Sequence, residues 1–210
     1  MPEQLKQSEV DKGQDPTVAK QFDNETLAGP KFEDFYAIAD KLKIAMLGTL
    51  REGTGPVGRS MAVNRSGPDF LLLANANSKK FDDIEKNKIA NLYFQDSSNQ
   101  DWISVTGEAV TSSNTDPRIK EIYNKYISAW FGDLGDGTHD GGPDDPRMKL
   151  IEIQPKYISY WKHEVSKLGF AKEIAGAVLT GGVAVTGTLR QMNAEEIQAA
   201  RERDGKLSTK

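Results

Sequence analysis

Three groups of residues in this 210-residue chain have types and spacing that could do chemistry. The first is Ser78-Lys79-Lys80, reached from the apolar run Phe70–Leu73 through the small polar corner Ala74-Asn75-Ala76-Asn77. A serine at this position caps a following helix, and Asp82 and Asp83 fall in its first turn, where the macrodipole favours negative charge. Unpaired N–H groups, a hydroxyl and two ammonium groups at one helix start make a site suited to a phosphate. Taken alone, such a stretch is more often a capped surface helix with two solvated lysines. The second group, Arg59-Ser60-Met61, lies mid-strand after the turn EGTGP. The third is Trp102, opening the strand that ends Val105-Thr106-Gly107-Glu108. If these strands are neighbours, they offer cationic donors for a phosphate, backbone edges for a polar heterocycle and an aromatic face.

Other chemistries do less well. The two histidines, His139 and His163, accompany no G-x-S-x-G elbow, and both read as surface or structural residues. The loop LGDGTHDGGPDD and its flank supply Asp133, Asp136, Asp140, Asp144 and Asp145, which invites a calcium site. A glycine stands at the third ligand position and no glutamate closes the loop, so a solvated acidic loop is the better reading and no metal is expected. GAVLTGGVAVTG lacks the G-K-[ST] of a phosphate-binding loop. No catalytic residue is assigned.

The elements that must position these groups follow from periodicity. Pro30 suits a first helical position, and Phe32, Phe35, Ile38, Ala39 and Leu42 recur at helical spacing to about Lys41. The period then drops to two. Strands are expected at Ile44–Arg51, Val57–Arg65, Phe70–Asn75, Ile89–Gln95 and Trp102–Thr111, with a short helix from Ser78 to Lys86. Asp116-Pro117 starts a helix through Trp130, and Met148–Ile153 and Lys156–Trp161 read as two strands hinged at Pro155. A final helix is capped by Asn193 with Glu196 three residues on. Six or seven short strands, mostly in hairpin order, point to a small antiparallel barrel with packed helices.

Composition sets the outer limits. Hydrophobic content of 37% is low enough to place part of the length outside a core. A net charge of −4 disfavours a general nucleic-acid binder. Cysteine is absent, which removes disulfides and thiolate chemistry and fits a reducing compartment. The sequence shows no signal-peptide core and no run of about 18 apolar residues, so no membrane association is expected and the default location is cytoplasmic. The expected organisation is a flexible N-terminal tail over 1–28, a barrel domain over 29–165, and a C-terminal extension with a terminal helix over 166–210.

GRSMAV, then FLLLANANSKKFDDIEKNKIANLYF, then DWISVTGEA resemble the FMN-binding split-barrel superfamily that includes pyridoxamine 5′-phosphate oxidase. With the loop AWFGDLGDGTHDGGPDDPR, the chain is most similar to the general stress protein 26 branch and the fungal blue-light-inducible Bli-3 proteins. The resemblance covers roughly Asp15 to Trp161. It implies a mainly β, six-stranded antiparallel split β-barrel with flanking helices, forming a homodimer with FMN in clefts between subunits. By the same resemblance, Arg59, Ser60, Met61, Ala62, Leu73, Ala74 and Asn75 line the flavin. Ser78, Lys79 and Lys80 hold the phosphate with Arg59, Trp102 replaces a flavin-bonding glutamine, and Trp161 contacts the ring from the partner subunit. The oxidase's C-terminal arginine and histidine arrangement has no counterpart after Trp161, so pyridoxal-forming activity is not implied. The implied role is a stress-response flavoprotein passing electrons from a reduced nicotinamide to a small acceptor. The alternatives are a non-enzymatic flavin carrier or sensor, or a barrel holding FAD, a deazaflavin or haem.

Overall fold

The computed structural model describes residues 20–23 and 25–205. Most of the expected tail, residues 1–19 and 24, lies outside the described residues. Helix α1 (Ala28–Leu42) begins two residues before Pro30 and buries Phe32, Phe35, Ile38 and Ala39. It stops at Lys43, whose left-handed backbone turns its N–H back to the Ala39 carbonyl. Strands β1 (Ile44–Arg51) and β2 (Gly55–Ala62) form a hairpin in which Leu47 faces Arg59 and Met46 faces Ser60. The single long strand expected over Val57–Arg65 breaks at Val63, which is buried, and resumes as β3 (Asn64–Ser66) against β4 (Asp69–Asn75).

After the short helix α2 (Lys80–Lys86) come β5 (Ile89–Gln95) and β6 (Trp102–Ser112). The helix expected to run through Trp130 is broken into α3 (Arg118–Ile122) and α4 (Lys125–Ser128) by an extended Tyr123 and by Asn124, whose side chain caps the second piece. Strand β7 (Met148–His163) is followed by α5 (Lys167–Thr180), β8 (Gly187–Met192) and α6 (Ala194–Asp204). The capping box at Asn193 and Glu196 forms as expected. The described residues thus hold eight strands rather than six, in the mainly antiparallel, helix-flanked architecture the resemblance implies.

Strand order is β2-β1-β5-β6-β7-β4-β3, with β8 also on β7. The two ends of that path, β2 and β3, are joined through Val63 alone, so the chain closes the sheet where no ladder does. Strand β7 can serve three neighbours because it is long. It pairs with β6 on one edge, and on the other its first half meets β4 and its second half β8.

Instead of a hinge, Pro155 sits at a bulge. Thr106 pairs with Tyr157 but Gly107 pairs with Pro155, so Lys156 is the extra residue. The bulge accommodates a residue that cannot donate to the ladder, and it switches the inward parity from Ile151 and Ile153 to Ile158 and Tyr160. One continuous core follows, from Phe32 and Phe35 through Leu47, Phe70 and Leu92 to Tyr160, Met192 and Ile197. Residues 187–204 therefore belong to the same sheet and core as the barrel. At the other end, Phe22 is buried and bridges Leu189, and Arg190 pairs with Asp23 and Asp34. A second cluster packs Leu71, Met148 and Leu150 under Ile119 and Ile122. Among the described residues no helix is long and apolar enough to cross a membrane.

A Cβ on Gly107 would lie 2.2 Å from the Gln154 carbonyl oxygen and 2.9 Å from Pro155 Cα. Both are backbone atoms of the bulge and cannot yield cheaply. Gly107→Ala is expected to lower stability by about 3 kcal/mol or more, read as a fall in the denaturation midpoint at unchanged slope. A loss under about 1 kcal/mol would show that this contact is not the constraint it is taken to be.

Candidate functional site

The inner face of β1 reads Ala45, Leu47, Thr49, Arg51, turning from apolar to polar toward the strand end. Arg59 enters the same region from β2. Its Nη1 donates to Thr49 Oγ1 at 2.7 Å and to the Leu47 carbonyl at 3.3 Å, and its Nη2 donates to Asp83 Oδ2 at 3.2 Å. Arg51 donates to both Asp83 oxygens, at 3.0 and 3.1 Å, and the Thr49 hydroxyl donates to Oδ2 at 2.9 Å. Asp83 is buried, and the Arg51 bonds hold its carboxyl below the usual carboxylate range against the opposing effect of burial.

Lys80 adds a further positive charge. Its ammonium donates to Ser78 Oγ at 2.7 Å. Burial first, and the neighbouring Arg59 second, push it below the ordinary lysine value. Among the described residues Lys80 forms no ion pair with a carboxylate. Lys149 approaches from β7, opposite Ala74, with Nζ 5.4 Å from the centroid of the Phe81 ring. The corner therefore gathers Arg51 and Arg59 around one buried carboxylate with Lys80 beside Arg59, an excess of positive charge at a half-buried place.

Ser78 does not cap α2. The cap position falls to Lys79, with no side-chain bond, because the Asn75–Ser78 turn closes first. Ser78 N–H and its hydroxyl both donate to the Asn75 carbonyl, at 3.0 and 2.7 Å, leaving the hydroxyl oxygen as an acceptor for Lys80. Lys79 is exposed.

The remaining expected site residues divide between faces. Met61 shares the inner face with Arg59 and packs on the main core, whereas Ser60 and Ala62 are exposed on the outer face. Ala74 lies in the main core, but Leu73 packs with the second cluster on the other side of β4. The Asn75 side chain accepts from Asn77 N–H at 2.9 Å. Trp102 and Trp161 are direct cross-strand partners. They alternate with the buried Ile103 and Tyr160 and so point outward, on the sheet face opposite Arg59. The single chain thus brings Arg59, Met61, Ser78 and Lys80 to one side but does not bring the two tryptophans to them. That outer face also exposes Ile44, Met46, Ile89 and Tyr93.

The two histidines sit apart. His139 Nδ1 lies 2.6 Å from Asp136 in the acidic loop, whose carboxylates accept from the loop's own N–H groups at Gly135, Thr138, His139, Gly141 and Gly142. The loop is fastened by Arg147, which pairs with the buried Asp145 and donates to the Phe131 and Gly132 carbonyls. The Arg147 carbonyl in turn accepts from Ala76 N–H at 2.7 Å, so the loop's base abuts the corner before α2. His163 is paired with the buried Asp101.

Thr49, Arg51, Asp83 and Lys149 are site residues that sequence reasoning missed. The polar end of β1's inner face was a readable signal for the first two. Lys149 had none, because its place depends on β7 pairing with β4.

A family model described as pyridoxamine 5′-phosphate oxidase like matches residues 31–184. Protein bli-3 of Neurospora crassa is 34% identical over 191 residues, 89% of this chain and 91% of that protein. Among solved structures, general stress protein 26 of Bacillus anthracis str. Sterne is similar with a TM-score of 0.54 at 23% identity, over 62% of this chain and 92% of that one. A pyridoxamine 5′-phosphate oxidase-related, FMN-binding protein of Nostoc punctiforme PCC 73102 is similar at a TM-score of 0.50 and 10% identity, over 79% and 96%. With a split-barrel fold in common and a family match across most of its length, the chain belongs to the pyridoxamine 5′-phosphate oxidase-like family.

Proposed function

We propose that this protein is a cytosolic flavoprotein of the stress-response type that binds FMN, with the phosphate held by Arg59, Ser78 and Lys80 and with Lys79 at the rim. The observation that carries this reading is Lys80, a half-buried ammonium beside Arg59 that has no carboxylate partner among the described residues. Like charges held together in partial burial are costly unless an anion joins them. A phosphate supplies that anion, and each charge-assisted bond contributes roughly 1.5–3 kcal/mol net. Three such bonds give roughly 4.5–9 kcal/mol before ordering costs of a few kcal/mol, so burial of the flavin ring must supply the rest of the roughly 8 kcal/mol that micromolar affinity requires. Bound flavin would supply electron or hydride transfer between a reduced nicotinamide and a small acceptor. The protein's own part is to grip the phosphate and to line the ring with Met61, Ala74 and Asn75 and with the main chain of residues 60, 62 and 73.

The flavin ring lies, in this reading, between two copies of the chain. The outer sheet face carries Trp102 and Trp161 among exposed Ile44, Met46 and Tyr93, an apolar patch of the kind that marks an interface. A twofold contact places that face of one copy against the Arg59 corner of the other and makes two equivalent clefts.

Fluorescence titration with FMN and with riboflavin tests the phosphate grip. Lys80→Ala is expected to weaken FMN at least about tenfold while leaving riboflavin nearly unchanged. Equal losses for both ligands would contradict the assignment. The lowered lysine value adds a pH signature. The folded state binds fewer protons at Lys80 than the unfolded chain, so its stability cost shrinks as pH rises toward 10.5. Without ligand, Lys80→Met is expected to be more stable than wild type at pH 7, with the difference closing at high pH, where FMN affinity also falls.

Shared clefts are tested by mixing. Lys80→Ala and Trp102→Ala homodimers should each bind FMN poorly, while a co-expressed heterodimer carrying one change per chain regains one intact cleft of two. A heterodimer no better than either parent would place both residues in the same protomer's site or neither in any.

A further inference from the structure

Helix α5 touches the rest of the described chain only lightly, and none of its described side chains is buried. Its inward side makes few ties. Phe170 shares a cleft with Trp161, Ala177 and Lys20 line one open groove, and Glu173 accepts from Val185 N–H at 3.3 Å. The outward side is the more apolar one. Leu168, Val178 and Leu179 are 68%, 78% and 86% exposed, and Ala171 and Ala175 between them are exposed as well. A surface helix ordinarily turns its apolar stripe to the core and its charges to water. Here that order is reversed. We infer that α5 packs against α5 of a second copy of this chain, antiparallel across a twofold axis.

The spacing of the outward residues carries the inference. Leu168, Ala171, Ala175 and Val178 recur at intervals of three, four and three residues, so they form one seam along the helix. The seam reads alike in both directions about Glu173, with each large residue five positions away and each alanine two. A twofold contact requires such a patch, because the two copies offer each other the same surface. In the antiparallel arrangement Leu168 of one copy meets Val178 of the other at both ends. The alanines meet in the middle, where small side chains let two helix axes approach closely. The helix dipoles then oppose, positive end beside negative end, whereas parallel packing would set like ends together. Lys172 stands at the edge of the seam, where its stem can cover apolar surface while its ammonium stays in water.

Other occupants fit this face less well. A lipid surface takes helices whose opposite face is strongly charged, and the inward side of α5 has Phe170, Ala177 and the one carboxylate of Glu173. The chain before Lys20 leads to the groove at α5, but its sequence, MPEQLKQSEVDKGQDPTVA, sets single apolar residues among polar ones and matches no continuous seam. A helix of 14 residues is about 21 Å long, too small a face for a standard interface of roughly 1,200–2,000 Å². Contact through α5 alone is therefore weak and is best read by trapping it. It does not depend on the flavin reading.

Because the chain contains no cysteine, single cysteines can report the register. Full-length Leu168→Cys and Val178→Cys proteins are oxidised separately and as a mixture, with and without FMN. In the antiparallel register the two positions meet, whereas each lies ten residues, about 15 Å along the axis, from its own counterpart, beyond the roughly 7 Å reach of a disulfide. The mixture is expected to form the cross-linked dimer at least about tenfold faster than either protein alone, whether or not FMN is present. Ala175→Glu in both copies puts a good helix former at an exposed position, so the fold is kept, and should slow the mixed link at least about tenfold. Links as fast within either single protein, no link in the mixture, or a mixed link indifferent to Ala175→Glu would each overturn the inference. So would a link blocked by a peptide of residues 1–19, which would give the face to that segment. Binding to anionic vesicles that Ala175→Glu abolishes would overturn it in favour of a lipid surface.

Discussion

One buried carboxylate organises the anion corner. Asp83 joins α2 to β1 and β2 by accepting from Arg51, Arg59 and Thr49, and every other feature of the corner depends on it. Without it, two guanidiniums and an ammonium would face one another at close range, and removing one partner of such a buried pair costs about 3–5 kcal/mol. With it, the compensation remains incomplete: Asp83, helped at Arg51 by Asp82, stands against Arg51, Arg59 and Lys80. That imbalance separates the site from an ordinary salt-bridge network. A structural cluster of equal charges is content in itself, whereas this one keeps a net positive charge, which is what the proposed phosphate site requires.

The sheet then limits what a single chain can do with that anion. Residue alternation sends Arg59 and Met61 inward and Trp102 and Trp161 outward, and no local rearrangement can bring them together. A ligand longer than its phosphate must either do without the tryptophans or meet them on another molecule. The bulge at Lys156 sharpens this division. By shifting parity halfway along β7, it keeps Ile151 and Ile158 in one core although they are an odd number of residues apart, and it turns Trp161 and His163 outward together.

Much of this was legible in sequence where local rules govern. The period-two run of Ile44–Arg51, the helical spacing of Phe32 to Leu42 and the capping pair Asn193–Glu196 each encode their element through neighbours a few residues away. The Ser78-Lys79-Lys80 corner was legible as a cation cluster, though which lysine turns inward was not, because that depends on the turn closing at Asn75. What failed was non-local. Pro155 reads as a break only until Gly107 is seen to admit a bulge across the ladder. Gly187 to Met192 reads as tail until β7 proves long enough to leave a free edge. Asp83 reads as a helix-dipole residue until two arginines reach it from other strands.

The same non-locality explains why the C-terminal residues carry more than stability. The region that departs from the oxidase pattern supplies β8 along the second half of β7, and α6 sets Ile197 and Ala200 in the core. Lys31, itself buried, donates to Gln191 and Glu196, and Tyr160 donates to the Lys31 carbonyl, so the first helix and the last segments hold each other. Once anchored, these segments place Gly187 under Trp161 and Phe170 across from His163. The barrel strands and α2 thus build the cationic corner, while the C-terminal segments shape the wall beside the outward tryptophan.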